Sequence, residues 1–141
     1  AKAAVRIDPA IGEAGDVDTA MLVLTHANGA FTYIDNSRQA VYGYDQRVEV
    51  FGSNGMVASE NPREHTTEIH TAQGTRQQNI PYFFLERYIP SYLAEWSGCR
   101  EGLESGSMPV TIDDGRAPLV AGLAAWKSYH EGRPVLTAEI G

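Results

Sequence analysis

One cysteine, two lysines and no apolar stretch of membrane-spanning length are what this chain has least of, and each shortage removes a class of protein. Cys99 has no intrachain partner, so disulfide-stapled scaffolds drop out and a reducing compartment is the easier home. A bilayer span needs about 20 consecutive apolar residues, and neither that nor a basic segment leading into an apolar one occurs. The expected location is therefore the cytoplasm, with no membrane partner. Positive charge is also scarce: 11 Lys and Arg against 18 Asp and Glu leave a net charge of -7. Phosphate backbones would be repelled, which argues against a nucleic-acid partner.

The familiar chemical signatures are absent as well. Fourteen glycines never fall as G-x-G-x-x-G or G-x-x-x-x-G-K, so the chain is expected to bind no nucleotide cofactor by those devices. The histidines His26, His65, His70 and His130 include no pair at H-x-x-x-H helical spacing, and with one cysteine this predicts no metal site. His65 and His70 lie five apart on an expected strand and would face opposite sides. There is no G-x-S-x-G elbow, and Cys99 falls on an apolar helical stripe as a small buried hydrophobe. No catalytic residue is assigned.

What remains is the composition of a globular protein: 141 residues, 43% hydrophobic and 9% aromatic, read as a single domain. Ala3 to Ile7 alternates like a strand, Gly12 to Asp16 reads as a loop, and Val17 to His26 reads as a central strand apolar on both faces. Asn28-Gly29 marks a hairpin into Ala30 to Asn36. Tyr42 to Phe51 and Met56 to Ala58 form a second hairpin, making a meander, and His65 to Ile80 a third hairpin around Gly74. Leu85, Tyr88, Tyr92, Trp96, Cys99 and Leu103 then recur at steps of three and four, an amphipathic helix that Pro90 should kink or split. Asp113-Asp114-Gly115 would cap a helix over Ala117 to His130, and Val135 to Ile140 reads as a closing strand. Strands first and helices later predict an α+β fold, with an open, largely antiparallel sheet and helices packed on one face. Trp96, Trp126, Met21 and Met56 are expected in the core.

A polar segment, Asp35 to Arg47, interrupts the apolar strands and concentrates carboxylates, amides and two tyrosines. Polyol hydroxyls both donate and accept, so a wall of such groups suits a sugar-like ligand. Tyr42 and Tyr44, two apart, would share one side of a strand. The plainer alternative is a hydrated connection between strands.

The run Ile34 to Val57, with Tyr42-Gly43-Tyr44-Asp45 at its centre, resembles the C-terminal domain of the inositol 2-dehydrogenases in the glucose-fructose oxidoreductase family. Phe84-Leu85-Glu86-Arg87-Tyr88, Tyr92, Glu95, Asp114-Gly115-Arg116-Ala117 and Glu131-Gly132-Arg133-Pro134-Val135 agree in order, while Pro90 departs from the family helix. The resemblance implies a dihydrodipicolinate-reductase-like C-terminal domain over residues 1–141. Its role would be substrate binding and oligomerisation, with NAD held by an N-terminal Rossmann domain that this chain lacks. It implies inositol, or a related polyol or sugar, as substrate, oxidised at a ring hydroxyl to a ketone within inositol catabolism. It also implies a homotetramer built through the open sheet face.

The family's catalytic lysine, in Glu-Lys-Pro, and its Asp-x-x-x-His pair have no counterpart here: Lys2 and Lys127 are not followed by proline. Both would lie upstream of Ala1, in agreement with a strand-like start that lacks an initiator methionine. The fragment alone is expected to be inactive. By resemblance Tyr44 would hydrogen-bond the substrate, with Tyr42 and Arg38 beside it and Asp35 and Asn36 as weaker contacts. The rival reading is an assembly module with no substrate role.

Overall fold

The computed structural model describes residues 1–141, the side chain of Glu86 excepted. The chain divides into two compact units, one of residues 1–39 with 109–141 and the other of residues 40–108.

The first unit holds an antiparallel sheet ordered β1 (Lys2–Ala4), β2 (Thr19–Thr25) and β3 (Phe31–Ser37), together with α1 (Pro9–Glu13) and α3 (Ile112–Glu131). β2 is central, as its apolar sequence predicts. The hairpin at Asn28-Gly29 forms, but only Gly29 takes positive φ (84°) while the Gly29 amide closes on the His26 carbonyl at 2.9 Å. One left-handed residue after an ordinary turn replaces the two that a tight two-residue turn requires. Pairing Met21 with Asp35, Val23 with Tyr33 and Thr25 with Phe31 puts these residues on one exposed face. Met21 and Val23 thus lie outside the core. α1 occupies part of the expected loop because Asp8 accepts from the Ala10 amide and Pro9 stands at the first helical position.

Asp18, only 3% exposed, ties this unit together. Its carboxylate accepts from the backbone amides of Arg6 (2.8 Å), Ile7 (2.8 Å) and Asp8 (3.0 Å) and from the Thr19 hydroxyl (2.9 Å). Burial works to raise its pKa, and the amides outweigh burial, leaving it at about 2 against an ordinary 3.8. A carboxyl whose folded pKa is depressed contributes stability that is complete above its unfolded value and is lost as pH falls through the folded one. Thermal melts should therefore show an acid decline that sets in below about pH 4 and deepens towards pH 2. Asp18→Asn should lower stability at neutral pH and flatten that decline. An unchanged acid limb in the variant would assign it to other groups.

α3 starts five residues earlier than the expected Ala117, because Thr111 and Asp114 form a reciprocal cap: the Asp114 amide donates to Thr111 Oγ1 and the Thr111 amide to Asp114 Oδ2. Ala124 and Ser128 are its buried residues, whereas Trp126 is 39% exposed. The expected last strand is instead a 3₁₀ turn, Thr137–Glu139. Glu139 accepts from Arg133 (2.7 Å), Lys127 (3.4 Å) and the Leu136 amide (2.9 Å), and these contacts curl the segment back on itself.

The second unit contains two separate hairpins, β4 (Val48–Gly52) with β5 (Gly55–Ser59) and β6 (Glu68–Thr71) with β7 (Gly74–Gln77), followed by α2 (Phe84–Ser105). The α+β class and antiparallel pairing stand, but the strands form three small sheets in place of one continuous meander. His65 precedes β6, so the opposed strand positions expected for His65 and His70 do not arise. α2 is one helix running through Pro90. Most of its apolar stripe is exposed, Trp96 at 73%, while Tyr88 and Cys99 are half-buried, and Met56 of β5 is exposed as well.

Exposed apolar surface is the dominant physical feature. The chain presents 11434 Å² to solvent, whereas two separate compact domains of half its mass would present about 8,700 Å² together. Ile80, 7% exposed, and Ala124, 6% exposed, are the buried hydrophobic residues among those described.

Candidate functional site

The polar segment singled out in the sequence straddles the two units. Asp35, Asn36 and Arg38 belong to the first unit, Tyr42 and Tyr44 to the second. Asp35 and Asn36 are exposed at the end of β3, and the Arg38 amide donates to the Asp18 carbonyl at 2.9 Å. These three residues share a strand end and form no cluster of their own.

Tyr42 and Tyr44 do not lie on a strand; residues 40–47 form an irregular loop ahead of β4. The expected shared strand face is replaced by two divergent roles. The Tyr42 hydroxyl donates to the Asp45 carboxylate, which also receives Arg47 Nε (2.8 Å), Arg47 Nη2 (2.9 Å) and Asn61 Nδ2 (2.6 Å). The Arg47 guanidinium, then the Tyr42 hydroxyl and the Asn61 amide, hold the Asp45 carboxyl well below the usual range. Asp45 is thus an ionised hub that braces the loop, and Tyr42 is one of its spokes.

Tyr44 is held differently. Its amide donates to the Pro81 carbonyl at 2.8 Å, and its ring lies 5.9 Å from Phe84 and 6.3 Å from Tyr88, edge-on to the latter. The Tyr88 hydroxyl beside it pushes the Tyr44 phenol up from its ordinary value; like any phenol that is protonated at neutral pH, it can both donate and accept. Its side chain keeps 40% of its surface open.

Gly43 makes this placement possible. Its φ is +134°, and a Cβ there would stand 2.4 Å from Ile80 Cγ1 and 2.5 Å from the Ile80 carbonyl oxygen. Only a residue without a side chain lets the loop backbone rest on Ile80 and turn Tyr44 towards α2.

Sequence reasoning included Gln46 in the polar segment but overlooked Asn61 and Arg87 as parts of this arrangement. Arg87 donates to Asn61 Oδ1 and to the Gln46 carbonyl, both at 2.7 Å, and Tyr88 donates to Gln46 Oε1. These partners are 26, 41 and 42 positions apart, so no local pattern announces them. The glycine between two tyrosines was the one available signal.

Residues 1–58 match the model of the GFO/IDH/MocA C-terminal domain. Over that stretch the chain is similar to this domain family. It is 49% identical, over 99% of its own length, to a myo-inositol 2-dehydrogenase of Thermotoga maritima, and 42% identical, over 98%, to an inositol 2-dehydrogenase of Rhizobium meliloti. It spans 42% of the length of each of these relatives. A solved structure described as a probable dehydrogenase from Thermotoga maritima superposes with a TM-score of 0.93 at 48% identity, covering 99% of this chain and 42% of that one. The matched region is the C-terminal part of these relatives, as the resemblance implied.

The GFO/IDH/MocA fold explains which chemistry this chain can hold. Its two junctions from strand to long or short helix carry no glycine-rich turn: α1 begins at Asp8-Pro9, where the Asp8 carboxylate accepts from the Ala10 amide, and α2 begins after Pro81-Tyr82-Phe83. A dinucleotide pyrophosphate finds no cradle at either. Among the described residues there is no group of three His, Cys, Asp or Glu placed to hold a metal ion, and no helix is long and apolar enough to cross a membrane.

Proposed function

We propose that this chain is the substrate-orienting and assembly part of an NAD-dependent inositol 2-dehydrogenase, with residues 1–141 acting as its C-terminal domain. The reading rests on one observation: a protonated, partly open tyrosine, Tyr44, braced by a glycine contact and a polar network, in a chain 49% identical to part of a myo-inositol 2-dehydrogenase. Tyr44 would donate to, or accept from, a ring hydroxyl of inositol. Tyr42 supports the loop through Asp45, and Arg38 is carried as a further polyol contact by the resemblance alone. The residues present here do not fit NAD, which would supply the hydride acceptor and would be held by further polypeptide along with the base. This chain contributes orientation, which limits the arrangements a bound polyol samples before reaction. The cytoplasm and inositol catabolism are the setting that this reading implies.

The test compares the 141-residue chain with the complete polypeptide that carries it, each supplied with myo-inositol and NAD. NADH formation by the complete polypeptide alone is expected. Turnover by the short chain would refute the division of labour. A related sugar or polyol oxidoreductase is separated by comparing turnover across inositol isomers and open-chain polyols.

The exposed face of the first unit supports the assembly role. Phe31 at 74%, Val23 at 65%, Tyr33 at 62% and Met21 at 49% exposure make a continuous apolar patch, unusual on a free surface. A second copy of this sheet is the proposed cover, in a homo-oligomer such as a tetramer. Sedimentation should show concentration-dependent association, and Val23→Lys should shift it to monomer. A strictly monomeric wild-type chain at high concentration would remove the claim.

A further inference from the structure

Arg87 is one residue away from the aromatic partner of Tyr44, yet its guanidinium reaches back to the loop that carries Tyr44. Nη1 donates to Asn61 Oδ1 and Nη2 to the Gln46 carbonyl oxygen, each at 2.7 Å. The same Asn61 oxygen accepts from the Gln46 amide at 2.9 Å, and Asn61 Nδ2 donates to Asp45 at 2.6 Å. Arg87 therefore fixes both sides of one peptide segment just after Tyr44. The segment just before it is fixed by Gly43 against Ile80, and the Tyr44 amide by the Pro81 carbonyl. With both flanks anchored to residues 80–88, the phenol has one backbone position from which to project.

We propose that Arg87 is a positioning residue for Tyr44: it sets where the phenol is presented to the polyol without touching the polyol itself. This rests on the reading that Tyr44 contacts the substrate. The planar fork is what the task requires, since two acceptors in different directions are met by one rigid group. A lysine at this position would reach one of them at a time. Misplacement of a substrate-orienting group by about 1 Å is enough to change rates by up to about 100-fold.

The experiment uses the complete polypeptide and measures kcat and KM for myo-inositol and for NAD in wild type, Arg87→Ala, Arg87→Lys, Tyr44→Phe and the double variant Arg87→Ala/Tyr44→Phe. Arg87→Ala is expected to raise the inositol KM roughly tenfold with the NAD KM unchanged, and Arg87→Lys to recover little of it. The double variant should be no worse than the more damaged single variant, because the two residues act through one contact. Independent, multiplying effects would overturn the proposal, as would a normal inositol KM in Arg87→Ala alongside an impaired Tyr44→Phe. If Arg87→Ala does not fold, Asn61→Ala removes the shared acceptor and should raise the inositol KM in its place; a normal value there counts against Arg87. A Tyr44→Phe enzyme with unchanged kinetics would instead overturn the substrate reading, and the role of Arg87 with it.

Discussion

Gly43→Ala is expected to lower the melting temperature of the chain by more than about 10 °C, whereas Gly74→Ala lowers it far less. The two glycines have nearly the same φ, +134° and +131°, and both lie in the second unit. They differ in surroundings. A Cβ at Gly74 meets nothing within 4 Å, while at Gly43 it would stand 2.4 Å from Ile80 Cγ1 and 2.5 Å from the Ile80 carbonyl oxygen. The backbone strain common to both costs roughly 1–3 kcal/mol. The steric overlap is specific to Gly43, and a backbone carbonyl cannot rotate away as a side-chain tip can. Loop and Ile80 must separate, which opens one of the few buried apolar contacts in the molecule. Circular dichroism melts of the two variants check this directly. Equal shifts would mean that the close approach to Ile80 carries no energy.

Tyr44→Phe, in the complete polypeptide, is expected to raise the KM for myo-inositol about tenfold while leaving the melting temperature within a degree or two of wild type. The ring contacts with Phe84 and Tyr88 survive the substitution, so packing is unchanged. Only the hydroxyl goes, and losing one hydrogen bond to a bound ligand is worth about 1–1.5 kcal/mol, close to a factor of ten. Tyr42→Phe should show the opposite pattern. Its hydroxyl donates to Asp45, so its removal weakens the loop and lowers stability before it affects substrate. Steady-state kinetics and melts on both variants separate a ligand contact from a brace. A Tyr42 variant that loses substrate affinity with full stability would exchange the two assignments.

The contrast between these tyrosines shows where sequence reading reached its limit. Alternation and turn residues located β2, β3 and the later hairpins because those signals are local and each strand has its partner next to it in sequence. The same alternation misplaced Tyr42 and Tyr44 on a strand: Gly43 breaks the extended run, and the reason it does so is Ile80, 37 residues later. The polar cluster was legible as a concentration of polar residue types, but the hydrogen bonds that organise it depend on Asn61 and Arg87, which carry no local signature. Helix ends followed the same rule. Asp113-Asp114 signalled a cap, yet the residue that caps α3 is Thr111, paired with Asp114 three positions on. Val135 to Ile140 has a strand's composition, but Arg133 and Lys127 draw Glu139 back and leave a turn. Trp96 and Met21 were expected in the core on their apolar character alone. Their exposure shows that apolar spacing identifies a face to be covered without saying that this chain covers it.

The central claim is that Tyr44 presents its phenol to a polyol while the reactive groups lie on other polypeptide. A crystal structure of the complete polypeptide with myo-inositol bound tests it most directly. The account predicts a ring hydroxyl within about 3 Å of the Tyr44 hydroxyl oxygen. An inositol bound in the reactive position out of hydrogen-bond reach of the Tyr44 hydroxyl would contradict it.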